Sequence, residues 1–261
     1  MTGTMHEIYA VKFGQNETAE RGHFFMGPDA DPHDEHMQLD YFVWAIRSPG
    51  QDVVLDAGFT AAVNETRRRN HFEEPADALR RLGVRPERVE HLILSHLHYD
   101  HAGGVEQFPH ATIHLQAEEL AFWTGKYAPR GEFRRTIELD DILRIVRLNY
   151  EGRVDLVEGA KEIVDGIWVH PAGGHTPGSQ FVSVRTARGT VVLAADTSHF
   201  FENVEDDKPF AVHADVVGLY RTFDAMHAAA TSGLVVAGHD PKLFERFTPV
   251  EGLEDRAIRI A

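Results

Sequence analysis

Apolar residues fall along this chain in short runs separated by turn-forming residues, and the period of each run predicts its element. Residues 8–13 alternate weakly and read as a first strand. Residues 15–38, rich in Gly, Asp, Pro and His, read as an irregular loop. Within it Phe24, Phe25 and Met26 form an apolar knot, of the kind that packs onto a core or lines a pocket mouth. The aromatic and β-branched runs 39–47 and 52–56 flank Ser48-Pro49-Gly50-Gln51 and predict a hairpin. Residues 74–82 predict a helix, with Pro75 near its start, Ala78, Leu79 and Leu82 as its apolar positions and Gly83 as its stop.

Residues 92–94 form a short apolar strand, 112–115 another, and a helix is expected over 117–123. Gly103 and Gly104 predict a tight turn into a segment ending at Phe108-Pro109. No period emerges over 124–153. Its stretch 126–135 is basic and aromatic, and reads as a solvated excursion or as a lid on the substrate side. Strands return at 167–170, 180–184 and 191–195, and a helix is predicted over 215–230 from Val216, Leu219, Tyr220, Phe223 and Met226. Residues 234–237 read as a last buried strand. The alternation of strands and helices predicts an α/β protein with sheets covered by helices. The β-rich halves on either side of 124–153 hint at a two-layer duplication.

Length and charge narrow the class. At 261 residues the chain is long enough for a substantial core, and 1–261 is read as one domain. Lys and Arg total 26 against 41 Asp and Glu, a formal charge of -15, which argues against nucleic acid and anionic membrane as partners. Cysteine is absent, so a metal would be held by nitrogen and oxygen alone. No run approaches the roughly 18 apolar residues of a membrane span, and the first thirteen residues lack the pattern of a signal peptide. A cytoplasmic location is expected.

The chemistry concentrates in Ser95-His96-Leu97-His98-Tyr99-Asp100-His101, directly after the apolar run 92–94. A bare His-x-His is usually a pair of surface residues. Here the fuller His-x-His-x-Asp-His string follows a strand, whose period of two puts His96 and His98 on one side. Asp100 and His101 then face a second position as the chain turns, which suggests two adjacent metals. Three later positions repeat one grammar, an apolar strand followed by a turn bearing His or Asp. They are His175 in a Gly/Pro-rich turn, Asp196 at the end of 191–195, and His239 after 234–237. Asp56, ending the run 52–56, either caps a turn or orients a ligand histidine.

This constellation resembles the metallo-β-lactamase superfamily, from Asp56 through His96-x-His98-x-Asp100-His101, His175, Asp196 and His239. The resemblance runs from about residue 40 to 240 and implies an αβ/βα four-layer sandwich with two zinc ions at the sheet edge. It implies His96, His98 and His175 on the first metal, Asp100, His101 and His239 on the second, and Asp196 bridging them. The chain is most similar to the quorum-quenching N-acyl homoserine lactonase group, on the segment from Glu202 to Ala211 and on Ala237-Gly238-His239-Asp240. Many of those lactonases carry a tyrosine three residues beyond the bridging Asp; here that position is His199.

The resemblance implies hydrolysis of a lactone ester, of an N-acyl homoserine lactone or a related small lactone, by a hydroxide shared between the metals. Asp100 is the expected proton shuttle, with His199 or Tyr99 assisting, and Phe24, Phe25, Met26 and Trp123 are candidates for an apolar substrate wall. Other hydrolysable bonds (ester, amide, carbonate, phosphotriester) remain open, as do a one-iron persulfide-type dioxygenase and a non-catalytic scaffold. A homodimer is expected by resemblance.

Overall fold

The computed structural model describes residues 3–27 and 37–261; part of the expected loop 15–38 therefore lies outside the described residues. In chain order the strands are β1 (Glu7–Asn16), β2 (Leu39–Ser48), β3 (Gln51–Leu55), β4 (Asn70–His71), β5 (His91–Ile93), β6 (Thr112–Gln116) and β7 (Val154–Val157). They continue as β8 (Lys161–Val164), β9 (Ile167–Pro171), β10 (Gln180–Thr186), β11 (Gly189–Leu193), β12 (Val235–Val236), β13 (Thr248–Pro249) and β14 (Ala257–Arg259). One sheet has the order β13-β14-β1-β2-β3-β5-β6-β7, with β4 against β1, and the other the order β12-β11-β10-β9-β8. No helix among the described residues is long and apolar enough to cross a membrane.

Side chains alternate between layers along each strand. Phe42, Trp44 and Ile46 of β2 enter the core between the sheets, against Val169, Val182 and Val184. Tyr41, Val43 and Ala45 point the other way, into a core shared with Leu79, Leu120, Ile142 and Ile145 of three helices. On the outer face of the second sheet Phe181 and Val192 pack on Leu219, Phe223 and Met226 of the helix Val216–Ala229. The layers are thus helix, sheet, sheet, helix, the αβ/βα sandwich expected. Covering both faces of β2 explains its apolar run over 41–46, and each fully buried Val, Leu or Phe contributes about 1.5–3 kcal/mol.

The hairpin appears as predicted, with Trp44 opposite Leu55 and Gly50 at φ 86° in its turn. The helix Pro75–Arg81 and the helix Ala117–Trp123 also lie where the spacing puts them. Other expectations need correction. The run 234–237 contributes only β12 and is not the last strand, because β14 closes back on β1 with Tyr9 opposite Arg259. Three residues are too few to show a period. The division at 124–153 is not one of halves, since β7, β13 and β14 join the first sheet. Within that stretch the chain forms a helix, Leu139–Tyr150, burying Ile142, Ile145 and Leu148. Leu139, Leu143 and Tyr150 stand exposed on it and blur the stripe. The expected irregular loop holds a short helix, Arg21–Phe24.

Gly103 and Gly104 make the tight turn expected, both at negative φ. They provide room. A Cβ on Gly104 would lie 2.2 Å from the carbonyl oxygen of Ala57, where β3 gives way to the loop behind Asp56.

Candidate metal centre

Strands β3 and β5 run parallel, as do β11 and β12, so their C-terminal ends open onto one edge of the sandwich. Asp56 follows β3 at φ 63°, and the string from Ser95 follows β5. His98 is extended (φ −65°, ψ 155°), after which the short helix Tyr99–Ala102 swings Asp100 and His101 round. His175 lies between β9 and β10, Asp196 in the 3-10 turn Ala195–Thr197 after β11, and His239 beyond β12. Ala195 is held at φ 46°, and Gly238 passes so close that a Cβ there would meet the Ala195 carbonyl oxygen at 2.4 Å. The turn carrying Asp196 is therefore wedged against the one carrying His239.

All seven residues expected at the site come together, in two groups. His96, His98, His175 and Asp196 form one, and Asp100, His101 and His239 the other, with candidate donor atoms within 4.8 Å of one another in each. His175 Nε2 lies 3.2 Å from His96 Nε2 and 3.0 Å from His98 Nδ1. Asp196 faces both groups. Its Oδ1 is 2.7 Å from His239 Nε2 and 3.0 Å from His101 Nε2, while its Oδ2 is 3.4 Å from His175 Nε2 and 3.8 Å from His96 Nε2.

The far nitrogens of four histidines are already committed. Nδ1 of His175 donates to the Val212 carbonyl at 2.8 Å and Nδ1 of His239 to the Asp40 carbonyl at 2.7 Å. Nδ1 of His101 donates to Asp56 Oδ2 at 2.7 Å. Ser95 Oγ donates to the same carboxylate at 2.9 Å, and so accepts from His96 Nδ1 at 3.0 Å. In neutral rings those protons leave Nε2 as a lone pair on each. The His175 and His96 lone pairs then point at each other, and His101 Nε2, though 3.0 Å from Asp196 Oδ1, is a buried nitrogen without a hydrogen-bond partner among the described residues. A cation between such atoms satisfies them. The donor set fits divalent metals.

Electrostatics without metal agree. Burial, reinforced by neighbouring rings, holds His96 and His98 well below the ordinary histidine range and takes His175 to about 3. Burial also opposes charge on His101 and His239, but the Asp196 carboxylate outweighs it and raises both. Burial disfavours ionised Asp196 as well, yet His101, His239 and His199 hold its carboxyl well below the usual range.

Asp56 orients a histidine, the second of its two expected roles, and grips the Ser95 backbone N–H at 2.7 Å besides. His199 is buried, with Nε2 3.2 Å from Asp196 Oδ2. Of the four candidate wall residues only Phe24 lines the cleft of about 340 Å³ above the centre. Phe25 is buried against Phe200, and Trp123 lies beneath His98 with its indole N–H donating to Glu119. Arg135, from the stretch left between lid and excursion, reaches the cleft, as does Thr136 next to it. Tyr41, Arg69 and Glu119 escape sequence reasoning altogether, because no local pattern distinguishes them from core or surface residues.

The metallo-beta-lactamase superfamily model matches residues 37–239. An N-acyl homoserine lactonase of Bacillus cereus is 37% identical over 134 residues, 51% of this chain and 48% of that protein, so the match spans about half the length of that curated relative. An N-acyl homoserine lactone hydrolase, solved with the product N-hexanoyl-L-homoserine at its catalytic metal center, superposes with a TM-score of 0.76 at 22% identity, covering 93% of this chain and 96% of the other. A dizinc quorum-quenching lactonase in complex with a product gives 0.71 at 18% identity, covering 92% and 90%. The structural matches speak for the shared sandwich. With the family model extending over most of the chain, from before β2 to His239, the protein belongs to the metallo-beta-lactamase superfamily.

Proposed function

We propose that the protein is a dinuclear zinc hydrolase that opens the ester bond of a small lactone, an N-acyl homoserine lactone or a related ring. One observation carries the reading: the Asp196 carboxylate is divided, Oδ1 toward His101 and His239 and Oδ2 toward His96 and His175, as a bridge between two ions requires. His96, His98 and His175 would hold the first zinc, and Asp100, His101 and His239 the second. The nitrogen-rich, cysteine-free donor set suits zinc. Bound there, two zinc ions would supply a water acidified to a pKa of about 7 as nucleophile, and a Lewis acid for the carbonyl under attack.

The chain's own groups do the rest. Asp100 opens onto the cleft, with Oδ2 3.8 Å from His101 Nε2 and 4.0 Å from His239 Nε2, and is placed to pass a proton to the departing ring oxygen. His199, with Nε2 3.2 Å from Asp196 Oδ2 and its ring on the cleft, is the candidate donor for the lactone carbonyl or the product carboxylate. Phe24 and Leu39 supply the apolar part of the cleft wall. The lactonase and quorum-quenching relatives support this choice of substrate over other ester-like bonds.

The test is metal content of the purified protein, followed on the same sample by pH-stat hydrolysis of a lactone panel. Two zinc with acid release uphold the reading. A single iron overturns it in favour of oxidation, and two zinc with every lactone inert moves the reaction to another bond.

A further inference from the structure

We infer that Arg69, steadied by Tyr99 and Tyr41, is an anion subsite of the cleft, and that the preferred lactone carries a carboxylate. The choice of ring rests on the lactonase reading; the subsite itself stands on the geometry. Three arginines line the cleft. Arg67 is fully engaged, with Nε on Glu138 at 2.8 Å, its two terminal nitrogens on the carbonyls of Arg135 and Ile137, and its plane over the Tyr99 ring at 4.2 Å. Arg135 pairs with Glu132 at 3.1 Å on the surface. Arg69 has neither arrangement.

Its Nε–H donates to Tyr99 Oη at 3.4 Å, and Tyr99 Oη in turn lies 2.9 Å from Tyr41 Oη. Among the described residues no carboxylate reaches the Arg69 guanidinium, and its terminal nitrogens have no hydrogen-bond partner. Both tyrosines are buried, and their hydroxyls engage one another and the Arg69 Nε–H, which leaves the terminal nitrogens to the cleft. A half-buried guanidinium presents a planar fork that a carboxylate fills with two parallel hydrogen bonds. On a chain of charge -15 an open cation is not a generic surface property. Tyr99 also lies between His98 and Asp100, so an anion held by Arg69 positions its ring beside the donor groups. Polar side chains, among them Asn16, Thr18 and Thr136, share the rest of the lining with Phe24, Leu39 and Val212.

The experiment uses the metal-loaded protein and a lactam that mimics the ring, pyroglutamate, against its neutral counterpart 2-pyrrolidinone. Calorimetric affinities are measured for wild type, Arg69→Gln and Arg69→Lys, with melting temperature and metal content as controls. Wild type is expected to bind pyroglutamate at least tenfold tighter than 2-pyrrolidinone. Arg69→Gln should bring that ratio down to the level a metal centre alone gives, at least fivefold lower, and Arg69→Lys should fall between. An unchanged ratio in Arg69→Gln, or no discrimination in wild type, overturns the subsite. In parallel, γ-butyrolactone and 5-oxotetrahydrofuran-2-carboxylate are compared in kcat/KM. A preference for the acid that Arg69→Gln removes through KM completes the case. Arg69-dependent pyroglutamate binding with both of these lactones and an N-acyl homoserine lactone inert upholds the subsite and overturns the lactonase reading, whereas turnover with no dependence on Arg69 does the reverse.

Discussion

Glu119 Oε1 accepts the backbone N–H of Leu97, the residue between His96 and His98, at 2.9 Å. Its other oxygen accepts from Thr176 Oγ1 at 2.6 Å and from the Gly178 N–H at 3.1 Å, immediately beyond His175. With the Trp123 indole as a fourth donor at 2.7 Å, this fully buried carboxylate ties together the two loops that present the first donor group. Burial nonetheless pushes its pKa up.

Glu119→Gln puts an amide NH₂ where donors already point. Hydrogen bonds to a buried charge contribute about 1.5–3 kcal/mol each, so a loss of about 2–4 kcal/mol is expected. Urea unfolding and metal content check it together. Unchanged stability with full metal occupancy would show that the loops hold themselves.

His98→Ala removes a donor from the first group without touching the second. Metal content should drop by about one ion and lactone turnover at least a hundredfold. Wild-type turnover with two ions retained would remove His98 from the ligand set.

Asp56→Asn tests orientation alone, because Asp56 reaches the site only through His101 and Ser95. Loss of such a partner costs about 10–100-fold in metal affinity. Chelator competition measures it, and an unaltered affinity would reduce Asp56 to a turn residue.

Neighbouring phenylalanines should separate by role. Phe25 is almost wholly buried, so Phe25→Ala should cost about 3–5 kcal/mol of stability. Phe24 lines the cleft against His199, and Phe24→Ala should raise KM severalfold as its main effect. Equal KM values for Phe24→Ala and wild type on every lactone would leave the cleft with no apolar contact of consequence.

Asp141 gives stability a pH dependence remote from the candidate metal centre. Burial takes its carboxyl up to about 6 despite Arg144 at 2.7 Å, and its Oδ2 has no hydrogen-bond partner among the described residues. Between about pH 4 and 6 the folded state therefore binds more proton than the unfolded chain, and stability falls as pH rises through that window. At 1.36 kcal/mol per unit the shift amounts to about 3 kcal/mol. Relative to wild type, Asp141→Asn should gain stability from pH 4 to 7 in urea titrations. Parallel curves would contradict the shift.

The donor residues were legible because each stands where an apolar strand stops, a pattern that survives without knowledge of the fold. The hairpin and the helix Pro75–Arg81 were legible from turn chemistry and period. What escaped depends on tertiary burial. Glu119 sits in a helix whose sequence does not reveal that its carboxylate points inward. Arg69 differs from Arg67 only in what surrounds it. β7 and β8 bury little, so neither has an alternation to read, and β14 exists because β1 offers it an edge.

The two donor groups draw on turns from both sheets, and His96 and His239 are separated by more than half the chain. No short peptide of this sequence contains either group, so metal capture must wait until the sheets have met. Two bound ions would then act as a clasp fastened last. At a thousandfold excess over Kd, each would add about 4 kcal/mol to the assembled state, and losing them would loosen the junction between the layers before either layer melts.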